Sequence, residues 1–525
     1  MHLLTWTRRG LLATGTALAL SFGLGLPATA QTPPGVLIVG QIAEPKALDP
    51  AAVTAVNDFR ILMNVYDGLV RYKSGTLEVE PALATAWEIS EDGTEYTFTL
   101  REGVTLHDGS PFNAEAVVFN FERMLNEDHP YHDTGPFPLA FFFSSVSSVE
   151  AVDDLTVKFT LSEPYAPFLS NLAYPTGLIV SPAAVEQHGA DFGRNPSGTG
   201  AFTFAEWRSN EAVVVEANPD YWDGAPDLEA VVFRPITDAN TRTAEMLAGG
   251  IDMMVEVPPV ALSQFQGDGF QVFEQAGPHV WFLILNAKEG PFADKRVRQA
   301  ANYAINKEAL VNDVLEGTAE VAAGPTPPAF AWAYNEALEP YPYDPEKAKE
   351  LIAEAGAEGA ELTFYVTEGG SGMLDPVAMG TAIQADLNAV GLDTTIETYE
   401  WNTFLGQVNP GLEGKADMAE MAWMTNDPDT LPFLALRTEA WPDKGGFNSG
   451  YYSNPEVDEL LEKARVATDQ DERAALYKQM QEIVQEDAPW VFVANWKQNA
   501  VTNDRVEGFE LQPSFFLLLD EVSKD

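Results

Sequence analysis

Two carboxylates flank a proline in WMTNDPDT, the stretch from Trp423 to Thr430. A carboxylate so placed can accept hydrogen bonds from the ammonium of a small solute. Asp427 is the candidate, with Asn426, Thr425, Met424 and Trp423 beside it on a pocket wall. The same residues also reverse a chain without any ligand, because Pro428 pushes Asp427 to an extended backbone and Asn/Asp/Pro clusters make turns. Acids number 79 in 525 residues, so two in eight is close to composition. A second stretch, TEGGSGMLDP, offers the backbone N–H groups of Gly369, Gly370 and Ser371 as a cradle for an anion or a polar group. Trp401 and Trp423 provide faces on which a solute could stack, and they suit a core equally well.

Catalytic patterns are missing. No phosphate-binding loop, H-E-x-x-H helix, nucleophile elbow or complete EF-hand loop occurs, and GGSGM departs from the elbow at its last residue. In DHPYHD, Pro130 separates His129 from His132, so the pair reads as a surface loop rather than a metal site. Cysteine is absent, which removes disulfides, thiolate metal sites and a lipidated cysteine. We therefore expect no catalytic activity, no cofactor and no metal. The formal net charge of −49 repels nucleic acid and anionic membrane.

The first thirty residues read as an export leader: Arg8 and Arg9, the apolar run LLATGTALALSFGLGL, and a small-residue site ATA that places cleavage near Ala30. TRRGLL fits a twin-arginine signal or a general secretory signal with two arginines. No later stretch is long and apolar enough to span a bilayer, so the mature chain is expected to be soluble and periplasmic.

Strands and helices alternate in a legible way. TEYTFTL puts Tyr96, Phe98 and Leu100 on one face of a strand, and LTVKFTL does the same with Leu155, Val157, Phe159 and Leu161. A helix is expected at NAEAVVFNFERML. Beyond about residue 280 the strand LTFYV leads to a helix opened by Asp375-Pro376, with Ile383, Leu387 and Val390 inward, ended by Gly391 before the strand LDTTIETY. That is a βαβ unit. Asp344-Pro345 and Asn454-Pro455 open two further helices, and DERAALYKQMQEIVQ forms another. Length alone suggests about three domain-sized units.

Several blocks resemble one family in order and spacing: YDGLVRYKSGTLEVEPALATAWEISEDGTEYTFTLREGVTLHDGSPFNAEAVVFNFER (Tyr66 to Arg123), NPSGTGAF (Asn195 to Phe202), NPDYWDGAPDLEAVVFRPITDANTRTAEMLAGGID (Asn218 to Asp252), PFADKRVRQAANYAINKEAL (Pro291 to Leu310), YDPEKAKELIAEAG and NPEVDELLEKAR. The chain is similar to family 5 solute-binding proteins of ABC importers, the peptide and nickel binders. The resemblance implies an α/β, two-lobed periplasmic-binding-protein fold of the hinged type II, with an extra strand-rich α+β domain. It implies a discontinuous first lobe at 31–72, 195–279 and 496–525, the extra domain at 73–194 and the second lobe at 280–495. Most of the matching residues, including Arg296 and Arg298 at a helix start, suit a bracing role.

The resemblance also implies where ligand should sit. Dipeptide binders of the family hold the peptide ammonium with an aspartate three residues after the tryptophan of AEMAWMT, and here that position is Asn426. Aligning instead on Asp-Pro-Asp makes the loop two residues short and deletes the aspartate, leaving Asp427 as a substitute. Those binders also carry an arginine before the Asn/Asp-Pro helix for the peptide carboxylate, which TEGGSGMLDP lacks. Gln41, Glu44 and Pro45 are the expected contacts from the first lobe. No histidine follows His279, which disfavours direct histidine ligation of nickel. The expected role is a monomeric periplasmic binder of peptides or peptide-like solutes that delivers them to an inner-membrane ABC permease with its ATPase. Rival readings are the same role for an oligosaccharide or another polar solute, and a periplasmic chaperone or ligand-presenting signalling partner.

Overall fold

A computed structural model describes residues 32–369, 373 and 375–525. The expected leader with its cleavage site near Ala30, and Gly370 and Ser371, lie outside the described residues.

One mixed sheet of twelve strands runs through the molecule. Its order is Leu392–Tyr399, Ala360–Thr367, Met418–Met424, His279–Leu285, Trp490–Asn503, Met253–Val255, Val36–Gln41, Ala230–Pro235, Ala212–Ala217 and Phe202–Arg208. Phe270–Ala276 and Ala319–Val321 add to Trp490–Asn503. The last strand is shared: Trp490 to Ala494 pairs with His279–Leu285, whereas Lys497 to Asn503 pairs with Phe270–Ala276. Two chain passages therefore join the halves, this strand and the Gly277-Pro278 step.

His279–Leu285 is buried along its whole length, because the sheet is covered on both faces. Its alternation assigns Val280, Phe282 and Ile284 to one core and Trp281, Leu283 and Leu285 to the other. Each such side chain adds about 1.5–3 kcal/mol of burial.

A four-stranded antiparallel sheet, Ala84–Ile89, Glu95–Leu100, Thr156–Leu161 and Val146–Asp153 in spatial order, forms a separate layer under the helix Ala114–Leu125. Asn113 caps that helix by accepting from the Ala116 N–H.

Local signals in the second half are realised as read. Asp375 accepts from the Ala378 N–H at the start of Pro376–Ala389, with Ile383 and Leu387 inward, and Gly391 takes φ 94° beyond its end. Ala360–Thr367 and Leu392–Tyr399 then pair in parallel. Arg298 is buried and braces loops, donating to the carbonyls of Phe292 and Asp487. His132 Nδ1 bonds the Arg123 carbonyl and His129 packs on Phe119. Among the described residues no group of three or more His, Cys, Asp or Glu side chains could hold a metal.

The second half also buries Lys307, whose Nζ donates to the Asn302 side-chain Oδ1 at 3.3 Å and has the Tyr341 ring beside it. Burial pushes this lysine down from 10.5 to about 7. A depressed folded-state value means its contribution is fully present above 10.5 and is lost as pH falls through about 7. Lys307→Met is accordingly expected to raise the urea midpoint at neutral pH, with the gain shrinking as pH approaches 10.5. A gain independent of pH would show that the amine is not desolvated.

Candidate functional site

The strand Met418–Met424 ends at the junction of the two halves, and the Thr425 N–H donates to the Pro278 carbonyl at 2.9 Å. Around that point lies a cavity of ≈ 410 Å³, open solvent at its mouth included. The second half supplies Met424, Thr425, Asn426 and Thr430, the first half supplies Tyr72, Ser514 and Phe516, and Leu77 lies just beyond Tyr72. Phe142 and Tyr174 come from the four-stranded unit, and Pro278 closes the hinge side. None of the described lining residues is charged. The wall offers hydroxyls, one carboxamide and aromatic faces, so it suits the neutral body of a solute.

Close packing shapes the hinge side. A Cβ on Gly277 would stand 2.2 Å from the Phe515 ring, so only glycine fits there. Phe515 itself takes φ 65°, a left-handed backbone that costs a non-glycine residue about 1–3 kcal/mol. That conformation places the neighbouring Ser514 and Phe516 on the cavity wall.

A larger cleft of ≈ 1060 Å³, open solvent at its mouth included, adjoins this one through Tyr72, Ser514 and Phe516. Arg71 stands in it between Glu80 and Asp223, both at 2.8 Å. No residue of the second half lines it, so a molecule there could not couple the two halves. The smaller cavity is the better candidate for that reason.

Asp427 is turned away from the expected ammonium role. Only 1 % of the residue is exposed, and its carboxylate receives Arg473 Nη2, Ser170 Oγ and the Asp429 N–H, each at 2.9 Å. It anchors the loop internally and ties it to the helix Phe168–Ala173. Asn426 is spent similarly: its Nδ2 donates to Asn171 Oδ1 at 2.7 Å, while Thr430 donates to its Oδ1. Thr425 and the half-exposed Met424 do line the cavity.

The remaining expected residues lie elsewhere. Trp423 packs edge-on against Phe447, and Trp401 stacks on Phe404 at 5.8 Å, so both tryptophans serve the core. Glu44 accepts from Trp207 Nε1 at 2.7 Å, in the first half. Gln41 is buried at a strand end with its side-chain oxygen lacking a protein partner, and Pro45 is buried nearby. None of these three lines the cavity at Thr425. Sequence reasoning passed over Phe142, Tyr174 and Phe516. The signal for Phe142 and Phe516 was available in FFFSS and PSFF, aromatic runs without helical or strand period beside turn-forming residues.

Comparison with known proteins decides the family. The model of bacterial extracellular solute-binding proteins, family 5, matches residues 78–443. The chain belongs to this family. It is 36 % identical over 480 residues to heme-binding protein A of Haemophilus influenzae, covering 88 % of this chain and 87 % of that one. It is 32 % identical to di/tripeptide-binding protein 2 of Pseudomonas aeruginosa, covering 93 % and 94 %. Among solved structures, HbpA2 from Haemophilus parasuis superposes with a TM-score of 0.87 at 33 % identity, over 93 % of this chain and all of that one. The family fold is the two-lobed periplasmic-binding-protein fold, and the family role is solute binding for ABC importers. These relatives are binding proteins, not enzymes. No helix among the described residues is long and apolar enough to cross a membrane.

Proposed function

We propose that this family 5 protein captures short peptides or peptide-like solutes between its lobes and passes them to an inner-membrane ABC permease, with no chemistry of its own. The observation that carries this reading is the cavity at Thr425, whose walls come from both halves and from the four-stranded unit. A solute filling it makes all its contacts only when the lobes are together, so binding shifts the population towards closure by its differential affinity. The di/tripeptide binder among the relatives supports peptide cargo. In this reading residues 31–72, 195–279 and 496–525 form the first lobe, 280–495 the second and 73–194 the extra domain. The chain is exported on a leader removed near Ala30 and acts as a monomer.

The uncharged lining supports a second reading, a neutral polar solute such as an oligosaccharide resting on Tyr174 and Phe516.

Thermal unfolding of the ligand-stripped protein against alanine peptides, N-blocked peptides and oligosaccharides separates the two. A micromolar ligand at millimolar concentration adds about 4 kcal/mol by mass action, a clear rise in melting temperature. Peptide-dependent stabilisation that drops on the order of tenfold in affinity in Phe516→Ala, as loss of about 1.5 kcal/mol of apolar contact implies, supports peptide capture here. Stabilisation by sugars alone would replace it with the second reading.

A further inference from the structure

The four-stranded unit is fastened to the two halves in different ways. The chain leaves it only towards the first half, by Val70–Tyr72 before it and Phe202–Arg208 after it. On that side the fastening is buried. Arg123 pairs with Asp49, both almost without exposure, and the Tyr174 ring meets Phe59 and Phe516 edge-on at 5.5 and 5.7 Å. The Ile179 N–H adds a bond to the Asp67 carbonyl at 2.9 Å.

Towards the second half the contact is short and polar, and it comes from one segment, Tyr165 to Asn171. Ser170 Oγ donates to Asp427 Oδ2 at 2.9 Å, and Asn426 Nδ2 donates to Asn171 Oδ1 at 2.7 Å. The Asn171 amide spends its own N–H groups on the Phe142 carbonyl and the Tyr165 hydroxyl, which aims its oxygen at Asn426. The Ala166 N–H donates to the Arg465 carbonyl at 2.7 Å, and the Arg465 guanidinium lies over the Tyr165 ring at 4.6 Å. Beside these bonds the surfaces part around a side cavity of ≈ 720 Å³, open solvent included, between Ser144 and Ser162 on one wall and Leu434 and Arg465 on the other.

When the halves of a hinged molecule separate, one of these two interfaces must give way. Splitting the Asp49–Arg123 pair would strand buried charge, whereas polar groups beside open volume regain water as they part. The unit therefore stays with the first half, and the segment Tyr165 to Asn171 lets go.

We propose that this segment is a strap, which holds the second half closed through Asp427, Asn426 and Arg465 and so sets the balance between closed and open molecules. All its partners belong to the chain, so it contributes equally to closure whatever solute lies at Thr425. Apparent affinity scales with the share of molecules in the competent state, which makes Ser170 and Asn171 positioning residues for every cargo. The inference rests on the two-lobed fold and not on the peptide reading.

The test reads the separation of the halves directly, in protein without solute. The chain has no cysteine, so Asp220→Cys in the first half and Lys349→Cys in the second, both exposed, accept a pair of spin labels for pulsed electron resonance. The shorter of two distances is expected to dominate in the otherwise unaltered protein. Ser170→Ala removes a hydrogen bond to a carboxylate and should lower the closed-to-open ratio about tenfold. Ser170→Glu sets a second carboxylate against Asp427 and should leave mainly the longer distance. A distribution already at the longer distance before either substitution overturns the strap, as does one that neither substitution moves. A merely structural serine would lower the melting temperature of the same samples while leaving both distance populations in place, which also overturns it.

Discussion

Replacing Asp427 with alanine is expected to lower the unfolding free energy by about 3–5 kcal/mol, because it strands a buried guanidinium. Arg473 is only 7 % exposed and would keep the Tyr477 hydroxyl and the Ala464 carbonyl, neither of which carries its countercharge. The Ser170 contact from the four-stranded unit is lost in the same step. Urea unfolding followed by tryptophan fluorescence should show the midpoint falling well below wild type. Arg473→Met on the Asp427→Ala background should recover part of the loss, since removing both charges of a buried pair is milder than removing one. An unchanged midpoint in Asp427→Ala would mean that the pair is solvated and that Asp427 is free to meet ligand.

Asp252→Ala is expected to cost at least as much, and it acts in the first half. The Asp252 side chain is fully buried and accepts from the Ile38 N–H, Asn503 Nδ2, Arg505 Nη2 and Lys524 Nζ at 2.7–3.0 Å, and from the Thr32 hydroxyl. One carboxylate thereby ties Thr32, at the beginning of the described chain, to Lys524, its penultimate residue. Its loss leaves the buried Lys524 ammonium with only neutral acceptors, again about 3–5 kcal/mol. Lys524→Met is the milder partner, because Arg505 and Asn503 still satisfy Asp252. Denaturation midpoints ordered wild type, Lys524→Met, Asp252→Ala from high to low would bear this out. The reverse order would place the critical charge on the lysine.

The contrast between these two acids and the capped helices shows what the sequence could disclose. Asp375, Pro376 and Gly391 act on their own neighbours, so the helix Pro376–Ala389 was readable from adjacent residues. The end of Met418–Met424 was readable as a candidate ligand position because strand ends in α/β sheets commonly serve that way. Asp427 was not readable. Its fate depends on Ser170 and Arg473, which lie 257 residues before it and 46 after it, and no local pattern announces either pairing. For the same reason Asp429 looked like the other half of a turn. Its ion pair exists only once Arg465 is folded against it. Phe516 reaches the cavity because Phe515 adopts a left-handed backbone, which a β-propensity reading of PSFF would exclude.

The strand Trp490–Asn503 crosses the boundary between the halves as one fourteen-residue strand, with a register shift near Val493 where it pairs with His279–Leu285. An articulation built this way works as a torsion bar and not as a pin. A change in the angle between the halves can be spread as twist over its successive peptide groups, because strands twist along their length. The side chains at the middle, with Asn495 Nδ2 donating to the His279 carbonyl and the Trp496 N–H to His279 Nδ1, hold the two passages in step as they turn.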